Sequence, residues 1–297
     1  MDDVHRRPED LYVLREQPPL DSPVLVMAPE GWIDAGMGGA AALGSLLSAV
    51  DSEVVASFDI DELLDHRARR PVAHIVDGVY ETLSWPEIEL RAGHDAEGHA
   101  VLVLTGPEPD HRWKAFADAV GQLATIFNVR MLVGMGAFPA PVPHTRTAKL
   151  AATATSSELA KQVGVVSGSL DVPAGVLVAV ERRFAELGIP AVGLWARVPH
   201  YAAPWPYPEA SVLLLEGLTQ VSGLVLDLSA LRDAAESTRQ RLDELIANSA
   251  EHTAMVQQLE ARADVEANDL APNGWGDLPS GDDLAAEVER FLRDETS

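Results

Sequence analysis

From residue 24 onward, short apolar runs of strand length alternate with segments of helical period, and this alternation constrains the fold of the 297-residue chain more than any other feature. A strand that is apolar along its whole length is buried on both faces, which a sheet achieves when helices cover it from both sides. The runs 24–28, 54–58, 129–135 and 189–198 read as strands of this kind. Between them, 36–50, 110–127, 174–187 and 209–221 read as helices; in the second of these, Trp113, Phe116, Val120, Leu123 and Phe127 fall on one stripe. Pro208 stands where a helix begins and an absent N–H costs nothing. The pattern predicts an α/β fold, a largely parallel or mixed sheet flanked by helices.

Other segments read as antiparallel additions. Runs 71–77 and 80–83 flank Asp77-Gly78, and runs 87–93 and 100–105 flank His94 to Gly98, both with the turn chemistry of hairpins. Residues 150–155 and 163–166 read as strands or irregular edges. Ser229 is placed to cap one long helix to about residue 262 that carries Leu231, Leu242, Leu245, Val256 and Leu259. The expected organisation is an α/β domain over 1–228, the long helix over 229–263 and an acidic tail over 264–297. That tail holds ten acids against Arg290 and Arg293, and a short amphipathic helix over 282–293 with Leu284, Val288, Phe291 and Leu292 on one face.

Composition narrows the partners. The chain carries 46 acidic and 22 basic residues, a net charge of −24, and such a surface repels nucleic-acid phosphates and anionic lipid heads. It has no cysteine, so disulfides, thiol nucleophiles and Cys-type metal sites are excluded and a reducing compartment is the natural setting. The first twelve residues have no apolar core of a secretory signal, and the apolar stretch 212–228 is broken by Glu216 and Gln220. A cytoplasmic protein, bound to neither nucleic acid nor membrane, is expected.

Four segments at predicted strand ends carry the chemistry. Gly36, Gly38 and Ala41 match G-x-G-x-x-A, but seven residues separate them from the strand, whereas a dinucleotide site needs its first glycine at the strand end. No cofactor is expected, and Asp34 is placed to cap the helix that follows. Asp110 is placed to cap the next helix, and Arg112, in its first turn where a cation is disfavoured, implies a carboxylate partner within the chain or a bound anion. The rigid loop from Pro141 to Thr147 groups His144, two hydroxyls and Arg146, a set able to hold a carboxylate or anion or to pack structurally. After the next strand, His200, Tyr201, Trp205 and Tyr207 stand among prolines, a composition suited to an interface or to closing the core. Phe291 of the tail is a further candidate interface residue. The nine histidines are scattered, so no metal site is expected.

Taken in order, GWIDAG, GPEPDHRW, VPHTR and PHYAAPWPYPEA, with the long helix behind them, resemble the PAC2 (proteasome assembly chaperone 2) family in its actinobacterial branch, over about residues 24–262. The resemblance implies a fold similar to purine nucleoside phosphorylases, a homo-oligomer with a trimer favoured, and a non-enzymatic chaperone-like role with protein partners. Relatives that dock on the proteasome use a hydrophobic–tyrosine–any-residue tail, and the sequence here finishes Glu295-Thr296-Ser297, so proteasome docking is not expected. The alternative is an enzyme of nucleosidase or phosphorylase type, or a binder of nucleosides or small anions. It would use Asp34 as acid or base and Arg112, His144 and Arg146 as anion-binding groups, with His200 completing the cleft.

Overall fold

The computed structural model describes residues 8–31, 33–164 and 169–268. In chain order the elements are β1 (Tyr12–Leu14), β2 (Val24–Met27), α1 (Gly38–Ala49), β3 (Asp51–Phe58), α2 (Ile60–Leu63), β4 (Val72–Val76), β5 (Val79–Ser84), β6 (Glu89–His94), β7 (Ala100–Thr105), α3 (Trp113–Ile126), β8 (Met131–Ala140), β9 (Leu150–Ala154), α4 (Ser157–Val163), α5 (Val176–Leu187), β10 (Ala191–Pro199), α6 (Pro208–Ser222), α7 (Ser229–Ala247) and α8 (Ala250–Asn268).

Eight strands form one mixed sheet in the order β1-β3-β6-β7-β2-β8-β10-β9. Parallel pairing is confined to the central four, β7-β2-β8-β10, while β1, β3, β6 and β9 are antiparallel to their neighbours. The centre explains the uniformly apolar runs. In β2, Val24 and Val26 enter one core with Leu43 and Leu46 of α1 and Leu214 and Leu218 of α6, whereas Leu25 and Met27 enter a second core with Phe116 of α3 and Phe184 of α5. Alternate side chains of a strand point to opposite faces, so a strand covered on both sides needs apolar residues at every position. Phe116 and Phe184 are fully buried, and truncating either to alanine costs about 3–5 kcal/mol of stability.

Because the four central strands run in the same sense, the loops 28–37, 106–112, 141–149 and 200–207 all leave from one edge of the sheet. β8 and β10 pair in register from Leu132↔Ala191 to Ala140↔Pro199, which sets the last two loops side by side.

Four expectations are corrected. The long C-terminal helix is two helices: the chain breaks at Asn248 and Ser249, whose hydroxyl accepts from the His252 amide and starts α8. Ser229 does not cap α7, since its amide instead donates to the Asp227 carboxylate at 2.9 Å, and Leu245 is exposed rather than packed. Val163, at the start of a segment expected to be strand or irregular edge, instead ends α4, which is capped by Ser156, whose side chain accepts from the Leu159 amide at 3.2 Å. Val165 and Val166, together with the amphipathic segment 282–293 and Phe291, lie outside the described residues.

Candidate functional site

The glycine-rich start of α1 is a packing device. The Asp34 carboxylate accepts from the amides of Gly39 at 2.7 Å and Ala40 at 2.9 Å, the donors a pyrophosphate would need at this helix start. Burial pushes the Asp34 carboxyl up from its ordinary range, and those two amides pull it partly back. Gly36 sits at φ +64°, and a Cβ there would lie 2.6 Å from that of Tyr207. The Gly36 amide donates to Ala203 and its carbonyl accepts from the Tyr207 amide, both at 2.8 Å, so the loop before α1 is laced to the segment after β10.

Arg112 precedes α3 in the left-handed region, at φ +57°, and donates to Glu62 at 2.7 Å. The expected cap Asp110 is used otherwise: its carboxylate accepts from the Asp65 amide at 2.8 Å and from Arg69 at 2.5 Å. Glu108, which no local pattern marks, is buried and accepts from the Val176 amide at 2.5 Å, closing the start of α5 across the loop edge.

His144 is the centre of the loop after β8. Its side chain is 1% exposed. The Tyr201 hydroxyl lies 2.6 Å from Nδ1 and accepts from the His144 amide at 2.9 Å, while Nε2 lies 3.1 Å from the Asp243 carboxylate of α7. Only one proton pattern satisfies all three contacts with a neutral ring: the phenol donates to Nδ1 and Nε2–H donates to Asp243. Burial, with lesser contributions from Glu260 and Asp243, raises the Tyr201 phenol against the lowering effect of the His144 amide, so the phenol keeps the proton it donates. The ring of His200 stands edge-on to Tyr201 at 5.4 Å.

Arg146 reaches α8. Its Nε and Nη2 donate to the two oxygens of Asp264 at 2.8 and 2.9 Å, and Nη1 donates to Glu260 at 3.1 Å. Two small adjoining cavities result. One of about 200 Å³ is lined by His144, Arg146, Tyr207, Glu209 and Arg239; the other, of about 260 Å³, has Arg146, Lys149, Arg197, Tyr207 and Asp264 in its wall.

The structure therefore brings His144 and Arg146 to one place, sets His200 behind them against Tyr201, and gives Asp34 and Arg112 to separate contacts. Of the candidate interface residues, Tyr201 and Tyr207 face inward, the first held by His144 and the second packed on Gly36, while Trp205 is 40% exposed. Lys149, Arg197 and Asp264 complete the cavity wall and Asp243 partners His144; nothing in their local sequence marks these roles, and the contacts of Asp243 and Asp264 span about a hundred residues. Among the described residues no group of three His, Asp or Glu is placed to hold a metal, and no helix is long and apolar enough to cross a membrane.

A mixed sheet covered on both faces, with a pair of C-terminal helices tied by carboxylates to the loops at the carboxyl ends of its parallel strands, defines the class. Within it the chain belongs to the PAC2 family, whose model matches residues 28–246. A solved Mycobacterium tuberculosis protein of unknown function is 37% identical, with a TM-score of 0.81 over 87% of this chain and 92% of that one. A Corynebacterium glutamicum protein of unknown function is 31% identical, with a TM-score of 0.83 over 88% and 99%. A Mycobacterium tuberculosis proteasome-assembly chaperone homologue is 32% identical, with a TM-score of 0.73 over 78% and 99%. No functionally curated protein matches the chain.

Proposed function

We propose that the protein is a non-enzymatic, homo-oligomeric assembly factor of chaperone-like type that works in the cytoplasm through protein partners. The observation that carries this reading is the β4–β5 hairpin. It pairs with no other strand among the described residues, and Val72, Ile75, Val79, Tyr80 and Leu83 are 70%, 52%, 65%, 76% and 53% exposed. A two-stranded hairpin is marginal alone in water, and apolar side chains beside open strand edges mark a surface that another chain covers.

A second copy fits this surface. A hairpin projecting from one protomer onto a different face of the next makes a head-to-tail contact, which closes as a ring when the rotation between copies allows it, and the trimer that the family resemblance favours is one such ring. The similarity to a proteasome-assembly chaperone homologue supports the assembly role. An engaged cation supports the non-enzymatic part: Arg112, a group an anion-processing enzyme would aim at its substrate, already donates to Glu62.

The test is the solution mass of the chain beside a variant with Val79→Ser and Tyr80→Ser. The wild type is expected at three times the chain mass and the variant at the monomer mass with unchanged circular dichroism. A wild-type monomer, or a variant that keeps the oligomer, overturns the assignment of this surface. Native co-purification that recovers no protein partner overturns the assembly role.

A further inference from the structure

The 260 Å³ cavity under α8 is a second feature, independent of the hairpin. In a chain where acids outnumber bases 46 to 22, three cations, Arg146, Lys149 and Arg197, line this one cavity, with Asp264 the one carboxylate in its wall and Glu260 reaching Arg146 from beside it. Its remaining wall is mostly apolar, with Val142 and Pro199. Cations gathered in a small, partly apolar recess recognise an oxyanion carried on a compact carbon frame.

The chain itself shows which oxyanion. Asp264 meets Arg146 in a two-pronged contact, 2.8 and 2.9 Å, the geometry in which a planar carboxylate matches the guanidinium fork. That contact is also open to solvent, with the two side chains 41% and 53% exposed, so a ligand carboxylate can reach the guanidinium fork in competition with Asp264. Lys149 is exposed and, among the described residues, has no ion-pair partner, so a second anionic group on a ligand would meet a cation that no internal carboxylate occupies. The volume admits a small di- or tricarboxylate rather than a drug-sized molecule.

We propose that this cavity binds a small di- or tricarboxylate through Arg146, Lys149 and Arg197, and that Asp264 is its built-in competitor, displaced from Arg146 when the ligand enters. Binding would release the last turns of α8 from the body and so couple a small molecule to the position of the C-terminal helices.

Calorimetric titration of the full chain at low ionic strength, with citrate and separately with inorganic phosphate, tests this. Citrate is expected to bind. Asp264→Asn, which removes the competitor and keeps the shape, is expected to tighten citrate by about two- to five-fold. Lys149→Gln, at an exposed position that folding does not need, is expected to weaken it about tenfold, and Lys149→Arg to restore it. The proposal is overturned if neither wild type nor Asp264→Asn binds citrate, if Lys149→Gln binds as well as wild type, or if phosphate binds as tightly as citrate.

Discussion

The hydroxyl of Tyr201 satisfies two buried groups of one residue, lying 2.6 Å from Nδ1 of His144 and 2.9 Å from its backbone nitrogen. Through Nε2 the same ring reaches Asp243, so a single histidine joins the loop after β8, the turn after β10 and helix α7. Three residues far apart in sequence thus become one tie between the sheet edge and the C-terminal helices.

Tyr201→Phe removes the phenol oxygen and leaves the His144 amide and Nδ1 without partners in a buried site. Each unsatisfied group costs about 1–3 kcal/mol, so the variant is expected to lose about 2–6 kcal/mol. A urea unfolding curve measures this. A loss below about 0.5 kcal/mol would show that the tie does not stabilise the fold.

Two glycines near the start of the chain separate fold from freedom. Gly36 is left-handed, and a Cβ there would lie 2.6 Å from that of Tyr207, so Gly36→Ala is expected to cost at least about 2 kcal/mol. Gly44 in α1 has nothing within 4 Å of the same added atom, and Gly44→Ala is expected to stabilise by about 0.5–1 kcal/mol. Paired thermal melts check both signs at once.

The central strands, the hairpin at Asp77-Gly78 and the helix at Pro208 were legible because each is written locally: two-faced burial makes a run apolar, both Asp77 and Gly78 adopt positive φ, and proline suits a helix start. What escaped was non-local or short. The break at Asn248 and Ser249 interrupts a stripe whose apolar period continues into Val256, so periodicity ran across a cap that only residue type announced. Asp110 looked like a cap, yet Arg69 and the Asp65 amide claimed it from about forty residues away. At the candidate site His144 and Arg146 were visible as chemistry packed into one loop, whereas their partners Asp243, Glu260 and Asp264 lie about a hundred residues on, on helices whose acids look like solvated surface.

Glu181 supplies a pH dependence of one sign. It lies buried on α5, accepting from the Thr153 hydroxyl at 3.2 Å, and burial, only partly offset by that hydroxyl, pushes its carboxyl from 4.5 up to about 7. Between about pH 4.5 and 7 the unfolded chain releases a proton that the folded chain keeps, so stability falls as pH rises and the whole penalty is present above pH 7. That penalty is on the order of 3 kcal/mol. Glu181→Gln is expected to be more stable than wild type at high pH and to flatten the dependence across this window, measured by urea midpoints at several pH values. A variant that follows the wild-type slope would show that Glu181 does not set it.

Asp95 supplies the opposite sign. Its carboxylate sits in the β6–β7 turn with no exposed side-chain surface, and it accepts from the amides of Val225 at 2.7 Å and of Glu97 and His99 at 2.9 Å, with the His99 ring at 2.8 Å. Burial raises this carboxyl, but the hydrogen bonds from Val225, His99 and Glu97 together outweigh it and hold it at about 2. The stability this gives is present above the ordinary value of 3.8 and is lost as pH falls from there through about 2. It amounts to on the order of 2 kcal/mol. Because Val225 lies on the stretch between α6 and α7, Asp95→Asn is expected to loosen that connection as well as the turn. Acid titration of the folded state tests it: wild type should unfold more steeply with acid below pH 4 than the variant, which starts less stable and carries no such proton to gain.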